Sequence, residues 1–304
     1  MKKGYNYHIF FPEKPFNVIL IIFYLVILMK FIYRIFIQIG IVLGFIGTIV
    51  VNTLSSLGMI NNTDPGTLSD EIPNYFVPAG ITFAIWGVIY IGLAALAIYS
   101  TIALFKKKEE ESYFLNKMGI EFIVASIANI AWIFLWHYQD KTDPNKYMVE
   151  FSLIAMVILL ASLLTMYIRL KIGKSNVSRK EKWLIHIPIS LYLGWITIAT
   201  VANATAVIVD LSINKMLFSG YWLTEIYWTN FMLVIATIIT LLMLFIRKDI
   251  AYSLIVIWAF VGIILKRTSV APIELEIIVT SAIGISLILG MIGFASYKLI
   301  KKKS

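Results

Sequence analysis

Charge is missing from long, contiguous parts of this chain. No Asp, Glu, Lys or Arg occurs in 78–105, 151–168, 183–209, 226–246 or 277–297, and shorter charge-free runs cover 122–136 and 250–265. An α-helix needs about 20 mainly apolar residues to cross the roughly 30 Å hydrocarbon core of a bilayer. The pattern therefore predicts an all-α fold, a polytopic transmembrane helical bundle of about eight spans. They fall near 35–57, 78–105, 114–138, 147–170, 183–209, 225–246, 250–265 and 275–297. Composition agrees: 60% of residues are hydrophobic and 14% charged, against about 45–50% and about 25% in soluble domains.

The charges that remain lie in clusters between the apolar runs, and they alternate. Lys30, Arg34, Lys106, Lys107, Lys108, Lys117, Arg169, Lys171, Lys174, Arg179, Lys180, Lys182, Arg247, Lys248, Lys298, Lys301, Lys302 and Lys303 share one side, eighteen in all. The other side holds five: Lys141, Lys146, Lys215, Lys266 and Arg267. By the positive-inside rule both termini are cytoplasmic, in a multi-pass protein of the cell membrane. The net charge of +9 is thus a topology signal, and no nucleic-acid partner is expected. With no cysteine, disulfides, thiol catalysis, thiolate metal sites and Cys lipidation are excluded.

Residues 1–29 form an uncertain N-terminal extension. Its apolar stretch 16–28 is thirteen residues long, short for a span. It reads as an interfacial or signal-like segment, as an extra helix, or as sequence upstream of a start at Met29. The last is preferred, and no cleavage site for a signal peptide is evident. The first outer loop, 58–77, carries three acids and no base. Asp64-Pro65-Gly66 reads as a turn and Leu68-Ser69-Asp70-Glu71 as a helix start. The loop is either a solvated connector or a lid whose negative charge Lys141, Lys146 or His137 would offset.

Three spans carry one-sided polar and aromatic stripes. Thr82, Trp86 and Tyr90 are spaced i, i+4, i+8; Asn129, Trp132 and Trp136 i, i+3, i+7; Tyr192, Trp195, Ala199 and Asn203 i, i+3, i+7, i+11. On helices each set shares a face. An unpaired amide in hydrocarbon costs several kcal/mol, so these faces turn toward protein. They either pack helices, with the Asn side chains bonding across them, or line an aromatic pocket.

These residues carry a resemblance to the translocator protein family, whose bacterial members are called tryptophan-rich sensory proteins (TspO/MBR). Pro78 followed by Trp86 and Tyr90 is similar to the family's entry into helix two, Asn129-Ile-Ala-Trp132 to helix three, and Tyr192-Leu-Gly-Trp195 through Asn203 to helix five. The resemblance implies a five-helix core over 30–210 followed by three additional transmembrane helices over 211–304. It implies that Pro78, Thr82, Trp86, Tyr90, Asn129, Trp132, Trp136, Tyr192, Trp195 and Asn203 bind a hydrophobic small molecule, porphyrin- or tetrapyrrole-like, for sensing or carriage. Two departures stand out. The family's double proline is reduced to Pro78, and the Tyr of its sterol-associated pattern is missing after Asn203.

No catalytic residue, metal site or bound cofactor is expected; a tetrapyrrole would be a ligand, and porphyrin breakdown is only a secondary implication. The charge-free spans argue against an ion-coupled pump. Glu121 is expected to pair with Lys117 one turn away. His137 is a candidate axial haem ligand or a plain interfacial histidine. Gly40, Gly44, Gly284 and Gly290 are expected at close helix contacts. The alternative function is a permease-type or structural subunit whose C-terminal helices recruit a membrane partner or a second copy.

Overall fold

A computed structural model describes residues 15–71, 74–105, 113–138, 148–210 and 225–301. Eight helices are long and apolar enough to cross a membrane among them, and no strand occurs in the described residues. The order is α1 (Pro15–Ser56), α2 (Pro65–Glu71), a 3₁₀ turn (Gly80–Ala84), α3 (Ile85–Leu104), α4 (Tyr113–His137) and α5 (Met148–Arg169). A helical turn at Arg179–Glu181 and a π turn at Lys182–His186 then lead into α6 (Ile187–Asp210). α7 (Glu225–Arg247), α8 (Ile250–Ser269) and α9 (Leu275–Lys301) follow.

The N-terminal apolar stretch is continuous with the first span. α1 has 42 residues, which at about 1.5 Å per residue is roughly 63 Å, twice a bilayer core. Every described side chain from 18 to 33 is exposed, and burial begins at Ile37 and Gln38. Only the second half of α1 therefore packs in the bundle.

α1 lies against α3 and α4, α4 against α5, α5 against α6, and α6 against α3. Small residues let α1 and α4 approach closely. A Cβ on Gly40 would stand 2.4 Å from Ile123 Cδ1, and one on Gly44 2.8 Å from Ser126 Oγ. Gly284 is likewise closed by Phe260 and Thr237, whereas Gly290 faces open space. That corrects the expectation for Gly290: its helix face meets no neighbour.

The three C-terminal helices form a layer joined to the rest through α8. It touches α6, the 3₁₀ turn, α7 and α9, and its Val256, Ala259, Phe260 and Ile263 are fully buried. On the basic side the tie is Asp249, which caps α8 by accepting from Tyr252 N at 3.1 Å. It also accepts from Tyr167 Oη at 2.8 Å on α5 and Ser190 Oγ at 2.7 Å on α6. One buried carboxylate thus joins three helices, each donor satisfying the charge that burial would otherwise penalise.

Glu121 does not pair with Lys117. Arg169 of α5 takes Glu121, and Lys117 sits 4.7 Å over the Tyr113 ring. A guanidinium fork from the neighbouring helix fits a carboxylate better than an ammonium on the same face.

Candidate functional site

α2 begins earlier than the sequence suggested. Asp64 is its N-cap: Oδ1 accepts from Gly66 N at 2.8 Å and Thr67 N at 3.2 Å, and Oδ2 accepts from Thr67 Oγ1 at 2.5 Å. Asp64-Pro65 therefore opens a helix instead of a turn, with proline at the first helical position, where its missing N–H costs nothing. The Thr67 hydroxyl, ahead of the opposing effect of burial, holds the Asp64 carboxyl below its ordinary value of 3.8.

This short helix lies over a cavity of about 50 Å³ lined by Pro65, Ser69, Asn74, Val77, Pro78, Phe83, Trp86, Trp132, Trp136, Trp195, Ile198, Ala199, Ala202, Asn203 and Ala206. A second void of about 10 Å³ continues beneath it between Trp86, Tyr90, Asn129, Trp132, Tyr192 and Trp195. Four indoles from three helices converge here. Trp86 meets Trp132 edge-on at 6.4 Å, Trp132 stacks on Trp136 at 6.0 Å, and Phe83 stands edge-on to both Trp86 (5.7 Å) and Trp195 (5.8 Å). Edge-to-face and offset contacts at these separations are the favourable ones.

The structure brings together nine of the ten expected residues: Pro78, Trp86, Tyr90, Asn129, Trp132, Trp136, Tyr192, Trp195 and Asn203. Thr82 is elsewhere. It sits in the 3₁₀ turn, fully buried against α8, where a Cβ on Gly262 would stand 2.1 Å from its Oγ1. Its carbonyl accepts from Trp258 Nε1 at 2.8 Å. The 3.6-residue phase that would align it with Trp86 begins only at Ile85, because the 3₁₀ turn winds about three residues per turn.

The two stripe asparagines are engaged in helix contacts. Asn129 Oδ1 accepts from Asn52 Nδ2 of α1 at 2.6 Å, and Asn203 Nδ2 donates to Ser152 Oγ of α5 at 2.9 Å. They hold the cage walls in place while lining it. Trp132 Nε1 and the Tyr192 hydroxyl are buried with no hydrogen bond of good geometry. Buried polar atoms in this state are uncommon.

His137 is not arranged as an axial ligand. It is fully buried, with Nε2 3.0 Å from Ser55 Oγ and Nδ1 2.9 Å from Ile133 O, so both ring nitrogens are occupied. No cluster of three metal-ligating side chains occurs among the described residues.

Residues unanticipated from the sequence hold the 58–79 segment in place. Lys266 Nζ reaches Asp70 Oδ2 at 2.7 Å, the Arg267 guanidinium lies 5.3 Å over the Tyr75 ring, and Ala79 N donates to Gly262 O at 2.9 Å. At its other end Asn61 Nδ2 donates to His137 O at 2.7 Å. Asp70 of the loop is thus offset from α8. Lys141 and Lys146, expected in that role, lie outside the described residues. The 3₁₀ turn and its neighbours carry no periodic signal for these ties; Phe83, the aromatic hub, is the one member a reader of the Trp86 stripe could have found, at i−3.

The family model described as TSPO-like protein matches residues 35–294. The chain belongs to the TSPO-like family. The match runs through α7, α8 and α9, so the three helices that the motif resemblance left without a counterpart are part of the matched region. No curated protein and no solved structure matches the chain.

Proposed function

We propose that this member of the TSPO-like family is a membrane receptor or carrier for a flat, largely apolar small molecule of tetrapyrrole type, bound in the aromatic cage beneath α2. The observation that carries the reading is the convergence of Trp86, Trp132, Trp136 and Trp195 from three helices, with the Trp132 Nε1–H left without an acceptor. Indole faces suit stacking on a planar ligand, and an unpartnered edge donor suits a polar atom on its rim.

The cavity's 50 Å³ is far below the roughly 300–1,000 Å³ of small-molecule sites. The bound state therefore needs α2 and the 74–79 segment to swing outward, which makes release of the α8 contacts part of binding. The reading is one of binding, with no residue assigned to catalysis. The excess of Lys and Arg on one side favours cytoplasmic termini and a cage that opens outward.

Titration of the detergent-purified protein with protoporphyrin tests this. The expected result is quenching of Trp emission. In the triple variant Trp86→Phe, Trp132→Phe, Trp195→Phe, read by porphyrin absorbance, affinity should fall about tenfold or more, ~1.4 kcal/mol. Unchanged affinity in that variant refutes the site.

A further inference from the structure

The basic side of the molecule carries a surface that the cage does not use. There the connection after α5 packs on the turn between α7 and α8. Gly173, at φ +78°, makes the approach: a Cβ on it would stand 2.1 Å from Arg247 O. Arg247 Nη1 donates to Ile172 O at 3.3 Å, and its guanidinium lies 5.5 Å over the Tyr167 ring. Lys171 and Lys248 follow the ends of α5 and α7, both with left-handed backbone (φ 53° and 54°). With Lys174, Arg179 and Lys180 they place five exposed cations along the joined segments.

Each acid described on this side is turned inward. Glu121 goes to Arg169, Glu181 to the Tyr113 hydroxyl, and Asp249 to Tyr167 and Ser190. Glu109, Glu110 and Glu111 lie outside the described residues. None of the five cations takes part in a salt bridge among the described residues. Exposed apolar side chains adjoin them: Ile168 in the last turn of α5, Phe245 and Ile246 in the last turn of α7, and Trp183. Cations above a lipid-facing apolar rim, with an indole at the same level, match an anionic amphiphile better than a soluble anion.

We propose that this surface docks an anionic phospholipid, with its phosphate among Lys171, Lys174 and Lys248 and its acyl chains over Ile168, Phe245 and Ile246. A topology signal requires only that such charges lie on one side of the membrane. The Gly173 contact does more, because it gathers two distant segments into one surface. Clustered bases at the end of membrane spans attract anionic headgroups. The proposal is independent of the tetrapyrrole reading and stands if that reading fails.

Electron spin resonance of the full chain in phosphatidylcholine bilayers tests it, with spin-labelled phosphatidylglycerol and spin-labelled phosphatidylcholine as probes. The motionally restricted fraction should favour phosphatidylglycerol about fivefold or more, the factor that roughly one well-placed base supplies at a membrane surface. The preference should shrink in about 1 M salt, where the screening length falls to about 3 Å. The triple variant Lys171→Gln, Lys174→Gln, Lys248→Gln should lose it. The pair Lys30→Gln, Lys301→Gln, on the same side but outside the surface, should keep it. Gly173→Ala changes no charge, yet it should weaken the preference by parting the two segments, with the circular dichroism spectrum intact. Equal association of the two lipids, a preference that survives the triple variant or is lost as fully in the Lys30 and Lys301 pair, or full preference in Gly173→Ala overturns the proposal.

Discussion

Gly262 is the point at which the C-terminal layer meets the lid, and Gly262→Ala puts a number on that contact. The added Cβ would lie 2.1 Å from Thr82 Oγ1, 2.7 Å from Cγ2 and 2.9 Å from Cβ. Ordinary contact begins at 3.4 Å, so α8 and the 3₁₀ turn must separate by 3.4 − 2.1 = 1.3 Å. Two hydrogen bonds cross the same seam, Ala79 N to Gly262 O at 2.9 Å and Trp258 Nε1 to Thr82 O at 2.8 Å. A displacement of that size breaks both. Overpacking costs about 1–3 kcal/mol and each hydrogen bond about 0.5–1.5 kcal/mol. Because these share one displacement they do not simply add, and a loss of ~2–4 kcal/mol is expected. Thr82→Ala alone should cost less than about 1 kcal/mol, because the buried Oγ1 has no partner to lose. Combined with Gly262→Ala it removes the two nearest atoms and leaves only Cβ at 2.9 Å. The pair should therefore recover about half of the loss, a coupling of ~1–2 kcal/mol. Unfolding in mixed detergent, followed by Trp emission, measures all four corners of the cycle. A Gly262→Ala protein as stable as the parent, or no recovery in the double variant, refutes the close-approach argument. Porphyrin affinity unchanged in Thr82→Ala would show that this residue belongs to the seam and not to the cage.

Four further outcomes follow from the same contacts. Asp249→Ala removes a helix cap and strands the Tyr167 and Ser190 hydroxyls; a loss of about 2–4 kcal/mol is expected, with Asp249→Asn milder, by the same unfolding assay. Lys266→Met breaks a partly exposed bridge to Asp70; stability should change by less than about 1 kcal/mol, while ligand dissociation measured by stopped flow rises as the loop loosens. The Asp64 carboxyl titrates below its ordinary 3.8, so its stabilisation of α2 is present above that pH and is lost as pH falls through the depressed folded value; dissociation rates should be flat from pH 7 to 5 and climb only below about 4. Truncation after Asp210 should abolish folded protein in size-exclusion chromatography, since it uncovers the α6 face closed by Tyr252 and Ile255 at Gly194; a monodisperse truncated bundle would instead favour the partner-recruiting role for these helices.

The sequence by itself determined the fold class and the spans, because a bilayer demands long apolar helices and that demand is written residue by residue. It also placed Trp86, Trp132, Trp136 and Trp195 on inward faces, since each of these indoles lies within a regular helix that obeys a single period. It failed where regularity ends. Thr82 left the Trp86 stripe because three residues of 3₁₀ winding shift the phase before α3 begins. Asp64-Pro65 became a cap instead of a turn because the Asp64 carboxylate takes up the Gly66 and Thr67 N–H groups at the start of α2. Asp249, which carried no signal in the sequence, and Arg267, counted only among the five basic residues of one side, are buried by helices far away in sequence. Which helix covers them depends on shape matching between distant segments, such as Gly262 against Thr82 or Gly194 against Tyr252. Such matching leaves no periodic trace in either segment alone. Only the tertiary structure decided that α8 joins the first outer loop, and that two basic segments distant in sequence share one surface.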